Sequence, residues 1–153
     1  MVVRAYTPDD LAAVVSLFRR SVLEIAARDY TPAQTAAWAP EAPDLERWSA
    51  RLSSASVFVC EDKGQLAGFA RIASNGYVDL LYVHPDKQRM GVARALCDRI
   101  FEWAKERGIK RLFTEASVTA RPFFERCGFH VVRMQVVQTR GVEMPNLQME
   151  RAL

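Results

Sequence analysis

Along this chain, apolar residues recur at every second position in some stretches and at three- and four-residue spacing in others, so strands and helices interleave. Val2 to Tyr6 is a short β-branched run that predicts a strand. Thr7-Pro8-Asp9-Asp10 then supplies a cap, a proline for the first turn and two acidic residues, the start of a helix. Leu11, Val14, Val15, Phe18, Val22 and Ile25 follow at helical spacing and put one face of that helix against a core. A second helical start at Thr31-Pro32 runs to Trp38, and Pro40 and Pro43 separate it from a third stretch around Leu45 to Leu52. Trp38 and Trp48, carried by this excursion, are expected to pack in the core or a lid rather than to stack on a ligand.

Ser56 to Glu61, Gln65 to Ala73 and Tyr77 to Val83 read as three strands of an antiparallel meander, divided by Asp62-Lys63-Gly64 and Ser74-Asn75-Gly76. Asn75-Gly76 predicts a type I′ turn, in which both central residues need positive φ. The next helix carries its apolar stripe on Ala93, Leu96, Cys97, Ile100 and Ala104 and ends at Gly108 as a left-handed cap. Arg111 to Ala116 is a further strand, Val118 to Arg126 a further helix ending at Gly128, and Phe129 to Gln138 and Val142 to Met149 two closing strands around Arg140-Gly141. The strand, helix, strand unit from Tyr77 to Ala116 demands a parallel pair with a right-handed crossover, and its ligand site belongs outside the carboxyl ends of those strands. The expected fold class is α/β (α+β), a mixed central sheet of about seven strands flanked by helices, in a single domain over residues 1–153.

Half of the 153 residues are apolar, enough for a core without metals or disulfides. Cys60, Cys97 and Cys127 are far apart and fit neither a disulfide framework nor a zinc site, so no metal is expected and a reducing cytoplasm is the expected compartment. No leader-like or membrane-length apolar run occurs, and no membrane partner is expected. A net charge of +3 is too small, and no basic stripe is interleaved with aromatics, for nucleic acid to be the partner.

The run Leu81-Tyr82-Val83-His84-Pro85-Asp86-Lys87-Gln88-Arg89-Met90-Gly91-Val92-Ala93-Arg94 sets a glycine and small residues at the start of a helix that follows a strand. Helix N-termini expose unpaired N–H groups, so such a turn suits a diphosphate. Gly91 and Ala93 allow close approach, and Lys87, Arg89 and Arg94 add positive charge. Neither the Walker-type phosphate loop nor the dinucleotide fingerprint occurs.

Gln88-Arg89-Met90-Gly91-Val92-Ala93 resembles the acetyl-CoA loop [QR]-x-x-G-x-[GA] of the GCN5-related N-acetyltransferase (GNAT) superfamily. Ala120-Arg121-Pro122-Phe123-Phe124-Glu125-Arg126-Cys127-Gly128-Phe129 is similar to that family's A-x-x-[FL]-[YF]-E-x-x-G-F segment, and the order of elements matches along most of the chain. The resemblance implies an acetyl-CoA-dependent N-acetyltransferase with a small-molecule or peptide amine as acceptor and a homodimer as a possible assembly. It also implies a pantetheine arm lying against the backbone of Leu81 and Val83, with an N–H near Tyr82 or Val83 for the thioester oxygen. The cofactor would further contact Gln88, Arg89, Met90, Gly91, Val92, Ala93, Arg94, Phe123 and Phe124, with Ser117 where the family often has asparagine. Phe124 stands in the place of the family's proton-donating tyrosine, leaving Tyr30, Tyr77, water or no donor at all for the leaving thiolate. That departure also leaves room for a non-catalytic acyl-CoA-binding sensor. For the general base there are two candidates: Asp79, which strand alternation puts on a face with Tyr77, Leu81 and Val83, and Glu115, near the carboxyl end of the neighbouring parallel strand.

Overall fold

The structure, a computed structural model, describes all residues from Met1 to Leu153. Twelve main elements succeed one another as β1 (Val2–Ala5), α1 (Leu11–Glu24), α2 (Pro32–Trp38), α3 (Leu45–Ser53), β2 (Ser56–Asp62), β3 (Gln65–Ile72), β4 (Val78–Val83), α4 (Val92–Glu106), β5 (Arg111–Ser117), α5 (Arg121–Arg126), β6 (His130–Thr139) and β7 (Val142–Ala152). The mixed α/β architecture expected from periodicity is present, but its seven strands divide into a four-stranded sheet, β1-β2-β3-β4, and a three-stranded sheet, β5-β7-β6. Every ladder within them is antiparallel. One parallel bridge, Tyr77 to Phe113, joins the two sheets.

That junction is tightened by Phe113 N–H donating to Gly76 O at 3.1 Å and by the buried Thr114 hydroxyl donating to Val78 O at 2.7 Å. Gly76, at φ +94°, is required here because a Cβ would run into the Arg111 carbonyl. Beyond the bridge no ladder connects β4 to β5, so the two strands splay toward their carboxyl ends.

β4 contains a bulge. Arg71 pairs with Leu80 and Ile72 with Val78, leaving Asp79 as the extra residue. The consequence shows in the packing. Val78 belongs to the cluster under α4, with Ile72, Leu96, Ile100 and Leu112, whereas Leu80 belongs to the cluster under α1, with Val14, Phe18 and Phe69. Two positions apart, they face opposite sides of the sheet. Alternation is therefore broken at Asp79, and it does not share a face with Leu81 and Val83 as expected. Phe69, Leu96 and Ile100 are among the fully buried side chains, each contributing about 1.5–3 kcal/mol through apolar burial.

Local chemistry explains most boundaries. Thr31 caps α2 through Gln34 N–H, and Asp44 caps α3 through Arg47 N–H. The first helix is preceded by a 3-10 turn over Pro8–Asp10, where Asp10 accepts from Thr7 N–H at 2.9 Å and from both terminal nitrogens of Arg4 at 2.8 Å. The type I′ conformation occurs at Lys63-Gly64 and Arg140-Gly141, where both residues have positive φ. At Asn75-Gly76 only the glycine does, and the connection is a three-residue loop closed by Ala73 N–H to Tyr77 O. The helix expected from Val118 begins only at Arg121, because Ser117 holds Ala120 N–H with its carbonyl and its hydroxyl in a turn.

Candidate functional site

Two cavities open along the splayed strands. One, of 570 Å³, is bounded by Leu81, Tyr82 and Val83, the loop Lys87, Gln88, Arg89 and Gly91, the first residues of α4, the α1 face at Ser21, Val22 and Ile25, and Ser117 and Phe123. The other, of 610 Å³, lies under the α2–α3 excursion and holds Tyr30, Tyr77, Asp79 and Glu115. Trp38, Tyr82 and Ser117 line both. Whatever passes between the cavities passes these three side chains.

The first cavity has the physical character of a polyanion site. Gly91 caps α4 at φ +82° with no side chain covering the helix end, and the first helical bond is Ala95 N–H to Gly91 O. The N–H groups of Val92, Ala93 and Arg94 therefore have no intrahelical partner. Arg89 takes φ +60°, an uncommon conformation for a side-chain-bearing residue. Of the expected cations, Lys87 is tied to Asp62 at 3.1 Å and Arg94 to Asp98 at 3.2 Å, whereas Arg89 meets no carboxylate. Arg28 and Arg126, which sequence reasoning did not single out, line the same cavity without an acidic partner. The His84 side chain accepts from Asp86 N–H and caps the turn before the loop.

Main-chain orientation favours a ligand in the splayed region. His84 N–H donates to Ala67 O across the sheet, so by alternation the N–H groups of Val83 and Leu81 point the other way, toward β5. Phe123 lines the cavity. Phe124 does not: it is buried, edge-on to Phe123 and Phe129 at 5.5 and 5.1 Å between centroids. Met90 is half exposed and outside the lining. Cys127, read from sequence only as fitting neither a disulfide framework nor a zinc site, lines the cavity beside Cys97. The Cys97 thiol hydrogen-bonds it and the Arg94 guanidinium lies near, so the Cys127 thiol is lowered while Cys97 is raised.

In the second cavity the two carboxylates differ. Asp79 is almost buried and fully engaged, its Oδ1 accepting from Arg71 at 2.8 Å and its Oδ2 from Arg51 at 3.0 Å. Glu115 is exposed to the cavity and makes no hydrogen bond or ion pair. The Tyr30 hydroxyl donates to Pro145 O at 2.6 Å and accepts from Val118 N–H at 2.9 Å. Burial raises the Tyr30 and Tyr77 phenols above their ordinary value and pushes Tyr82 up to about 12. Arg19, Arg47, Arg140 and Asn146 complete the wall without having carried any sequence signal.

Comparison with known proteins converges on one family. The family model described as Acetyltransferase (GNAT) domain matches residues 26–151. The uncharacterized N-acetyltransferase YafP of Escherichia coli is 37% identical over 96% of this chain and 93% of its own length. An aminoglycoside N(6')-acetyltransferase type 1 of Stenotrophomonas maltophilia is 31% identical over 67% of this chain and 84% of its own. The crystal structure of a GCN5-related N-acetyltransferase from Rhodopseudomonas palustris superposes with a TM-score of 0.96 at 32% identity, covering 99% of this chain and 95% of the other. At 18% identity, PaiA N-acetyltransferase of Thermoplasma acidophilum, solved in complex with coenzyme A, shares the fold over the whole of both chains with a TM-score of 0.79.

Proposed function

Since the chain belongs to the GNAT acetyltransferases, we propose that it transfers the acetyl group of acetyl-CoA to a primary amine by direct attack, the cofactor in the 570 Å³ cavity and the amine in the 610 Å³ one. The observation that carries this reading is the meeting of a polyanion-type cavity and a carboxylate-bearing cavity at Tyr82 and Ser117, where β4 and β5 have parted.

The cofactor fits the residues present. Gly91 and the unpaired N–H groups of Val92, Ala93 and Arg94, with Arg89, Arg28 and Arg126 around them, suit its phosphates. The Leu81 and Val83 N–H groups suit its amide carbonyls, and one of them supplies the hydrogen bond that stabilises charge growing on the thioester oxygen, an effect worth about 3–4 kcal/mol in comparable acyl-transfer sites. Acetyl-CoA supplies an activated acetyl carbon, which bonds to the amine nitrogen as its bond to sulfur breaks.

Glu115 is the base this reading prefers, directly or through one water, since both its oxygens are free to take the proton the amine loses. Asp79 would have to give up its hold on Arg51 and Arg71 to do the same. Tyr30, Tyr77 and Tyr82 are all raised, standing further above a thiol at about 8.5 than a free phenol does. They keep their protons, and the thiolate leaves as such, to be protonated by solvent. Phe124 then costs the reaction little.

The test is thiol release from acetyl-CoA in the presence of amino acids, polyamines, aminoglycosides and peptides, with mass detection of the acetylated amine. Amine-dependent release is expected. Tight acetyl-CoA binding with no acetylated product from any amine would favour the second reading, an acyl-CoA-binding sensor, to which Phe124 points.

A further inference from the structure

Arginines that meet no carboxylate gather at the two cavities. Arg28, Arg89 and Arg126 do so where the cofactor phosphates are placed, and Arg19, Arg47 and Arg140 where the acceptor is placed. Elsewhere guanidiniums are mostly matched, as Arg4 is by Asp10 and Glu61, Arg111 by Glu150 and Arg121 by Glu125. The two exceptions, Arg133 and Arg151, lie on or beside the second sheet, where Arg151 donates to Cys127 O and covers the Phe101 ring.

Structural duties account for part of the acceptor-side cluster but not for its charge. Arg19 Nε donates to Pro40 O at 2.9 Å and Arg140 to Ala37 O at 2.6 Å, so both guanidiniums are held on one short segment at the end of α2. A single bond to a carbonyl leaves a guanidinium with donors to spare and its charge unbalanced. The Arg47 side chain on α3 makes no hydrogen bond or ion pair, while its backbone N–H donates to Asp44 Oδ1 at 3.0 Å. The acidic side of the cavity offsets this only in part: Asp79 is shared between Arg51 and Arg71, and Asp44 and Glu115, which line the same cavity, form no ion pair. A second feature lies beside Glu115. Asn146, paired with Ser117 in the β5–β7 register, has a buried Oδ1 with no hydrogen-bond partner. Its cross-strand neighbour Gln135 has a buried Nε2 that is likewise without a partner, so the fold alone does not satisfy the polar groups at this end of the cavity.

We propose that the acceptor is an amine that also carries an anionic group, a carboxylate or a phosphate, with the anion on Arg19, Arg47 and Arg140 and the amine N–H on Glu115, beside Asn146. This rests on the acetyltransferase reading and narrows it. A polycationic acceptor, the class for which the Stenotrophomonas maltophilia relative is named, meets Arg19, Arg47 and Arg140 against only Asp44 and Glu115 here and is disfavoured.

The experiment compares kcat/KM for amino acids and aminoalkyl phosphates with that for their uncharged amides and esters, and with spermidine and an aminoglycoside. Carboxylates or phosphates are expected to exceed their neutral partners by more than about tenfold, the effect of one charge-assisted contact, and the two anionic series tell which source is preferred. Arg47→Gln, which disturbs no contact, should erase most of that preference by raising KM for the anionic amine alone. Arg19→Gln and Arg140→Gln should do the same if they fold. Equal use of neutral and anionic amines, or preference for the polycations, overturns the proposal while leaving acetyl transfer intact. If no amine is acetylated, the acetyltransferase reading is what fails. Titration of CoA-loaded protein with N-acetyl amino acids and with their amides, read on the fluorescence of Trp38 and Trp48, then decides the anion preference, and equal binding of both overturns it.

Discussion

The difference between Asp79 and Glu115 is one of engagement. Asp79 holds two guanidiniums, one of them on the half-buried Arg71, while Glu115 holds none. Glu115→Gln is therefore expected to lower acetyl transfer by about 10²-fold with acetyl-CoA affinity unchanged by calorimetry. The defect should shrink as pH rises, because more of the amine is already neutral and less is asked of the base. Asp79→Asn should instead lower the denaturation midpoint, by about 1–3 kcal/mol in stability, with the turnover of folded protein retained. The reverse pattern would return the base to Asp79. Both carboxylates were legible in the sequence as candidates; which one was free was not. The choice depends on a one-residue bulge at Asp79 and on Arg51 and Arg71 arriving from other elements, and neither leaves a mark in local spacing. The same holds for Phe123 and Phe124, adjacent in sequence yet one lining the cleft and the other buried against Phe129.

Capping chemistry made some elements readable: Thr31 does cap α2 and Gly91 does open α4, whereas Asp44, which caps α3, was not singled out. What capping could not show was the turn at Asn75-Gly76. There Gly76 must approach the Arg111 carbonyl and start the bridge to β5, and that contact across the chain overrides the local I′ preference. For α4, Gly91→Glu sets a negative charge beside unpaired N–H groups and should weaken acetyl-CoA binding by more than about tenfold. Gly91→Ala, which carries the cost of positive φ, about 1–3 kcal/mol, but no charge, should lower stability and leave much of the affinity. Equal binding by the Glu variant and the parent would remove the loop from the site. At β1 and the start of α1, the Arg4 guanidinium holds the Asp10 carboxyl below its usual range. A carboxyl lowered on folding stabilises fully above the unfolded value, about 3.9, and loses that contribution as pH falls through the folded value. Asp10→Asn should thus destabilise at neutral pH and narrow its difference from the parent in acid, measured by thermal melts across pH.

On the scale of the whole molecule, function depends on two sheets that touch at one bridge and then separate. The crossover from β4 through α4 to β5 announced that these strands run parallel, as the bridge between them does, and the loop resemblance is what suggested acetyl-CoA for the gap in the proposed reading. The cavity proposed for the acceptor, by contrast, is assembled from α1, the α2–α3 segment, β4, β5 and the β6–β7 hairpin. Parts so distant along the chain share no motif, which is why Arg19, Arg140 and Asn146 were invisible until the fold joined them. Tyr30 shows how the assembly is held. Its hydroxyl links the α1–α2 connection to Pro145 on β7 and to Val118 just after β5, and its ring packs edge-on to Trp38 at 5.3 Å. Tyr30→Phe keeps the ring and strands a carbonyl and an N–H, at a cost of about 1–3 kcal/mol, or about 2–4 °C in melting temperature for each kcal/mol in a chain of this size. Because the phenol is raised by burial and its proton is already given to Pro145, turnover well below the melting temperature should fall by no more than a few-fold, with an unchanged pH profile. The acceptor KM should rise more than kcat falls, since the hydroxyl positions the wall of the amine cavity rather than the reacting atoms. An unchanged melting temperature with a rate loss of about 10²-fold, steepest at low pH where a proton donor matters most, would instead place Tyr30 in the chemical step.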